Sequence, residues 1–196
     1  MTGPLSDVTI LDLTSVISGP LATSILGDQG ARVIKVESPT GDSMRMAGAI
    51  NGGVSSLFSS INRNKESIAL DLRKPEAIKI INKIAARADI CIQNYRPGVV
   101  EKLGIDYDHL KKINPELIYA SISGVGAEGP YSRRRVYDPV IQAYAGFASA
   151  QTTNGKPDLI KMMICDKVTS LTMAQAITAA LYDRKNTGKG QHVEVS

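Results

Sequence analysis

Short apolar runs alternate with amphipathic stretches along the chain. The apolar runs rich in β-branched residues predict strands at 8–13, 31–37, 67–72, 89–93, 117–122 and 192–195. Helical spacing of apolar residues predicts helices over 19–26, from Pro75 onward, and over 98–103, 107–113, 138–148 and 166–184, with Gly30 just past the end of the first helix. Strands that alternate with helices predict an α/β fold with a mostly parallel sheet, whose ligand lies beyond the carboxyl ends of the strands.

Composition narrows the class of protein. The chain has 196 residues, of which 43% are hydrophobic and 21% are charged, and this is typical of a globular domain. It has no Trp and two Phe, so an aromatic surface for stacking nucleic-acid bases is not expected. The net charge of +4 is a mild excess without a basic tail or arm, and the arginine run 133–135 suits a phosphate-bearing small ligand about as well as nucleic acid. We expect a small-molecule partner and no nucleic acid. No signal peptide and no membrane span is visible, and we expect a cytoplasmic protein without membrane contact.

Cysteine and histidine are scarce. Cys91 and Cys165 lie far apart in apolar runs, so we expect buried free thiols rather than a disulfide. With His109 and His192 as the two histidines, a metal site is not expected. The loop 14–20 after the first strand reads TSVISGP and lacks the glycines of a dinucleotide fingerprint, so neither a nicotinamide nor a flavin is expected.

Two polar clusters follow predicted strands. Asn94, Tyr95 and Arg96 come after the fourth strand, with Lys102 a turn further along, and 133–135 is a run of three arginines. A guanidinium donates two parallel hydrogen bonds to a phosphate, which makes either cluster a candidate anion site. Each cluster is equally well interpreted as a solvated turn. For the 133–135 cluster, that interpretation makes Asp138 the N-cap of the next helix.

Asp166 follows an apolar run and stands at the predicted start of a long helix. One interpretation is a simple helix N-cap, since Asp is favoured there. The other is a partly dehydrated carboxylate that acts as a nucleophile. The two interpretations are compatible, and the local sequence by itself favours the N-cap.

The chain resembles the class III coenzyme A transferases, a superfamily with formyl-CoA:oxalate transferases, carnitine-CoA transferases and α-methylacyl-CoA racemases. No single motif is decisive, but the order and spacing of several motifs is specific. The matching segments read LDLTSVISGP (11–20), ARVIKVESPTGD (31–42), NRNKESIALDLRKPE (62–76), NYRPGVVEKLG (94–104), NPELIYASISGVGAEGPY (114–131), YDPVIQAYAG (137–146) and DRKNTGKGQHVEV (183–195).

The resemblance implies a Rossmann-like large domain in which Asp166 is the nucleophile. It implies that CoA passes from an acyl-CoA donor to a carboxylic acid acceptor through an aspartyl-CoA thioester, in an interlocked homodimer. The positions that match the family's CoA site are Ile17, Ser18, Leu70, Arg73, Asn94, Tyr95, Arg96, Lys102, Arg135 and Tyr137.

Two alternatives remain open. The racemase branch pairs a His with its Asp, whereas Tyr137 stands at the matching position here. Tyrosine, with a pKa near 10, is a poor base at neutral pH, which disfavours the racemase reaction. The second alternative is a non-catalytic CoA-binding fragment, because members of the family are longer. Residues 1–196 then form the N-terminal part of an incomplete large domain, without the small domain and the C-terminal return segment. The terminal strand would then form an unpaired edge with exposed apolar surface.

Overall fold

A six-stranded parallel sheet forms the centre of the molecule in this computed structural model, which describes residues 2–196. Its strand order is β5-β2-β1-β6-β7-β8, and every neighbouring pair is parallel. The strands are β1 (Thr9–Asp12), β2 (Arg32–Glu37), β5 (Lys65–Ala69), β6 (Ile90–Gln93), β7 (Ile118–Ile122) and β8 (His192–Val195), and an antiparallel hairpin apart from the sheet pairs β3 (Ile50–Asn51) with β4 (Val54–Ser55). The predicted α/β fold is therefore confirmed.

Helices cover both faces of the sheet. They are α1 (Ser18–Asp28), α2 (Ser56–Ile61), α3 (Pro75–Ala85), α4 (Val99–Leu103), α5 (Tyr107–Ile113), α6 (Asp138–Tyr144), α7 (Phe147–Ala150) and α8 (Ile164–Thr187). Adjacent strand residues point to opposite faces, so Ile10 packs with α1 and α8 while Leu11 packs with α3 and α5. Burial on both faces explains why the central strands β1, β6 and β7 are nearly continuous apolar runs, whereas the edge strands β5 and β8 carry exposed polar residues.

The observed boundaries correct three predictions. β5 runs over Lys65–Ala69 rather than 67–72, since its ladder with β2 pairs Lys65 to Ala69 with Val33 to Glu37, and the Lys65 ammonium bonds the Asp12 carboxylate on β1. The helix predicted over 138–148 is split into α6 and α7 by Gly146, whose φ of +82° is left-handed. The segment 38–53, predicted as a loop, contains a 3₁₀ turn (Ser43–Met46) and β3.

The two proposed N-caps are also wrong. α8 begins at Ile164, so Asp166 lies inside its first turn, and the N-cap residue Met163 makes no side-chain capping bond. Asp138 is the first residue of α6, behind the N-cap residue Tyr137. Both carboxylates are therefore available for contacts other than capping their own helix.

Other expectations concern the cysteines and the terminal strand. Cys91 and Cys165 are free and buried, as predicted. Burial raises the pKa of both thiols. β8 lies at one edge of the sheet, and α8 exposes Leu171 and Tyr182. Within residues 2–196, no helix combines the length and apolarity needed to cross a bilayer.

Candidate active site

A cavity of about 420 Å³ opens beyond the carboxyl ends of β1, β6 and β7. The N-terminal ends of α1 and α8 form its opposite wall, where helix dipoles favour negative charge. This is the position at which a parallel α/β sheet is expected to hold its ligand. Of the predicted site residues, those that line the cavity are Ser18, Asn94, Tyr95, Arg96, Arg135, Tyr137 and Asp166.

Asp166 lies half-buried at the wall formed by α8. Burial raises the pKa of its carboxyl above the ordinary value, and the nearby negative charge of Asp138 adds to this rise. Hydrogen bonding from the hydroxyl and backbone N–H of Ser18 acts in the opposite direction. The carboxylate is thus partly dehydrated, and this is a property expected of an active nucleophile.

A buried pair, Asp138 and Gln142, fixes the segment that leads into α8. Asp138 Oδ2 accepts a 3.0 Å hydrogen bond from the backbone N–H of Asp166, and Oδ1 accepts one of 2.6 Å from Gln142 Nε2. Gln142 Nε2 also lies 3.2 Å from the carbonyl oxygens of Ile160 and Met162, and its Oε1 accepts from Ile160 N–H at 2.8 Å. Asp138 and Gln142, one turn apart on α6, therefore fix the backbone at the start of α8.

The 14–18 loop, residues 14 to 18, leads from β1 into the first turn of α1 and contributes Ser15, Val16 and Ser18 to the cavity lining. Asn94 binds Ser15 through both amide atoms: Oδ1 accepts from the Ser15 N–H at 3.0 Å, and Nδ2 donates to the Ser15 carbonyl at 2.8 Å. The hydroxyl of Ser170 lies 2.7 Å from the Ser18 carbonyl and 2.6 Å from the Asp166 carbonyl. Because Ser170 is buried, it ties the loop to the helix that carries Asp166.

Cationic and phenolic side chains stand at the mouth of the cavity. Arg96, Arg135 and Tyr137 are exposed, and in residues 2–196 neither arginine forms an ion pair. Arg134 differs, because its guanidinium lies 4.5 Å above the Tyr131 ring and 3.3 Å from the Tyr144 hydroxyl. Arg96 and Arg135 thus offer free donors to an anionic ligand.

The other predicted contacts lie outside the cavity lining. Ile17 belongs to the 14–18 loop, but its side chain is buried. Leu70 packs partly buried against the core, and Arg73 bonds Asp71 at 2.8 Å on the surface. Lys102 is exposed on α4. Their contact with a ligand stays a prediction.

Several residues that build the site were not found by sequence reasoning. Gln142 and Ser170 were not singled out, and Asp138 was considered as a helix cap. Each acts on a residue distant in sequence, so no local pattern identifies it. Among the described residues, no group of three or more His, Cys, Asp or Glu side chains is placed to hold a metal ion.

Comparisons with known proteins agree with this architecture. The family model described as CoA-transferase family III matches residues 5–196. The chain is 42% identical over 197 residues to the acetyl-CoA:oxalate CoA-transferase of Acetobacter aceti, covering 99% of this chain and 51% of that protein. It is 42% identical over 194 residues to the human succinyl-CoA:glutarate CoA-transferase, covering 97% of this chain and 44% of that protein.

A solved structure shows the same fold. The crystal structure of a CAIB/BAIF family protein from Brucella suis superimposes with a TM-score of 0.93 at 39% identity, covering 98% of this chain and 53% of that one. The chain therefore spans about half the length of the relatives it matches. The match of the family model over residues 5–196, together with the shared fold, shows that this chain belongs to CoA-transferase family III.

Proposed function

We propose that the protein transfers coenzyme A from an acyl-CoA donor to a carboxylic acid acceptor, with Asp166 as the nucleophile. The observation that carries the proposal is the Asp166 carboxylate, half-buried at the start of α8 in a cavity with unpaired arginines at its mouth. The named activities of the relatives, acetyl-CoA:oxalate and succinyl-CoA:glutarate CoA transfer, support the same reaction class.

The reaction begins when an Asp166 carboxylate oxygen attacks the thioester carbonyl of the donor. The carbon–sulfur bond breaks, giving a mixed anhydride and the CoA thiolate. The thiolate then attacks the Asp166 carbonyl of the anhydride, which forms an aspartyl-CoA thioester and releases the donor's carboxylate. The acceptor carboxylate repeats both exchanges in reverse, so new acyl-CoA leaves and the Asp166 carboxylate is restored.

The polar groups of the site suit this sequence. Each attack places negative charge on a carbonyl oxygen, and the N-terminal ends of α1 and α8 favour such a charge in the cavity. Ser18 lines the same cavity as Asp166, and we assign its hydroxyl and N–H as donors to this oxygen. Dehydration of Asp166 protects the anhydride and thioester from water.

CoA carries its phosphates at the end away from the thiol, which matches cations at the cavity mouth. We assign the phosphates to Arg96 and Arg135, with Arg73 and Lys102 as outer contacts. Ile17, Ser18, Leu70, Asn94, Tyr95 and Tyr137 are assigned to the remainder of the CoA chain. The proposal requires no metal, nicotinamide or flavin. We also propose that the full protein works as a cytoplasmic homodimer.

Trapping the covalent intermediate tests this function. Protein incubated with acetyl-CoA or succinyl-CoA should gain the mass of CoA less one water, and peptide mapping should place it on Asp166. Asp166→Asn should show no adduct and no CoA exchange, whereas Asp158→Asn, at an exposed aspartate, should behave as wild type. CoA exchange retained in Asp166→Asn would overturn the proposal. Incorporation of solvent deuterium at the α-carbon of a branched acyl-CoA without CoA exchange would replace it with a racemase.

A further inference from the structure

Val16 holds a left-handed backbone conformation in the wall of the candidate active site. Its φ is +69°, and its side chain is β-branched, for which this conformation is unfavourable. Such a conformation persists where surrounding contacts over-determine it, and it is frequent at functional sites. Surrounding contacts must therefore hold Val16 in this conformation.

A buried ion pair supplies those contacts. Lys35 and Asp42 have side-chain exposures of 2% and 1%, and Lys35 Nζ lies 3.0 Å from Asp42 Oδ2. The ammonium also donates to the Thr14 carbonyl at 2.9 Å. Asp42 Oδ1 accepts from the Val16 N–H at 3.4 Å and from the Met44 N–H at 3.0 Å. The pair thus holds the backbone by hydrogen bonds on both sides of Ser15.

A simple stabilising role explains this pair poorly. Dehydrating two charges costs about as much as their attraction returns, and apolar side chains of similar volume often stabilise a core as well. Lys35 lies in the middle of β2, where an apolar residue would pack between neighbours. An apolar residue at position 35 would not donate a hydrogen bond to the Thr14 carbonyl and would not orient the Asp42 carboxylate.

Contacts connect the 14–18 loop to Asp166. Two residues beyond Val16, the Ser18 carbonyl accepts a 2.7 Å hydrogen bond from the Ser170 hydroxyl, which lies 2.6 Å from the Asp166 carbonyl. Ser18 and Asp166 line the same cavity. A relaxed Val16 would rotate the peptides that follow it and turn Ser18 away. We propose that Lys35 and Asp42 are positioning residues, which hold Val16 in its left-handed conformation and so keep Ser18 beside Asp166. This inference rests on the proposed function for its effect on turnover.

The test begins with two variants of the full protein, Lys35→Met alone and Lys35→Met combined with Val16→Gly. In Lys35→Met, which keeps the stem but removes the ammonium, backbone hydrogen exchange over residues 14–18 should accelerate about tenfold or more. The turnover number for CoA exchange should fall by a similar factor, with a smaller change in KM. Glycine adopts positive φ without strain, so Val16→Gly added to Lys35→Met should recover most of the lost turnover. Recovery by this remote glycine is a result that general destabilisation would not produce.

Two further variants keep the inference falsifiable. Asp42→Asn retains an acceptor for the Val16 N–H but ends the ion pair, and should show a milder form of both effects. Arg32 lies on the same strand as Lys35, and Arg32→Met breaks its exposed ion pair with Glu66 of β5. This variant should leave exchange and turnover unchanged. Unchanged exchange over 14–18 in Lys35→Met and Asp42→Asn, or no recovery by Val16→Gly, would overturn the inference. A third outcome separates the two proposals. If hydrogen exchange over residues 14–18 is faster in Lys35→Met and Asp42→Asn but the wild-type protein forms no Asp166 adduct, only the proposed function is overturned.

Discussion

The backbone N–H of Asp166 donates a 3.0 Å hydrogen bond to the carboxylate of Asp138, 28 residues earlier in the chain. The bond places two carboxyl groups close together, one buried and one half-buried, and both residues line the cavity. Asp138 therefore has two effects on Asp166, since it fixes the backbone and its charge makes ionisation of the neighbour harder.

Replacing Asp138 by Asn should separate these effects. The pKa of Asp166 is raised by burial first and by Asp138 second, so removing the charge should lower it. The acidic limb of the pH–rate profile for Asp166 acylation should move to lower pH. The loss of one acceptor should reduce the rate at neutral pH by about tenfold. Asp158→Asn serves as the control, and an acidic limb that stays in place would contradict the prediction.

The arginines at the cavity mouth should determine CoA affinity. Arg96→Met and Arg135→Met should each weaken CoA binding by about tenfold, because a charge-assisted bond to phosphate is lost. The weakening should shrink as salt is raised. Isothermal titration with CoA measures both effects. Arg133→Met is the matched control, since Arg133 is equally exposed but lies outside the cavity lining. Equal losses in all three variants would indicate a diffuse charge effect.

Glu37 should make stability depend on acid. Hydrogen bonds from Arg45 lower the pKa of Glu37 from 4.5 to about 2, against an opposing effect of burial, and Ser67 and the Asp42 N–H contribute. A depressed folded-state pKa gives stability that is complete above about pH 4.5 and lost as the pH falls towards 2. The contribution is about 2 kcal/mol, after allowing for solvent screening at the partly exposed Arg45.

Chemical denaturation between pH 2 and 7 measures this contribution. Glu37→Gln should be less stable than wild type at pH 7 and should lose less stability on acidification. Glu128→Gln, at an exposed glutamate, provides the comparison. Parallel stability curves for wild type and Glu37→Gln would show that Glu37 does not contribute to the acid dependence.

Two glycines of α1 should respond to alanine with opposite signs. A Cβ on Gly19 would lie 2.4 Å from the Thr14 Cβ, so Gly19→Ala should destabilise the fold by about 2 kcal/mol and disturb the 14–18 loop. A Cβ on Gly27 would meet Val33 at an ordinary 3.5 Å, and Gly27→Ala should stabilise the helix by up to about 1 kcal/mol. Thermal denaturation compares the two, and equal effects would show that the Thr14 contact is not limiting.

The sequence by itself determined the sheet and the end at which the site lies. Apolar runs predicted the central strands, because burial on both faces leaves few polar positions in them. Asp166 was identified as an acidic residue directly after another apolar run. The sequence also predicted that Arg96 and Arg135 follow strand ends, since loop residues are placed by the strands before them. The limits of β5 and α8 were misjudged, because Lys65 and Asp166 owe their positions to Asp12 and Asp138.

The tertiary structure alone decided which polar groups are buried and what they hold. Lys35 and Asp42 are charged and look like surface residues in sequence, yet they are enclosed because each satisfies the other and the 14–18 loop. Arg134 and Arg135 are neighbours, but the aromatic contacts of Arg134 leave Arg135 free. Hydrophobic burial follows a local period that the sequence displays. Hydrogen bonds and ion pairs act over a few ångströms between residues far apart in sequence, so their partners appear only once the chain has folded.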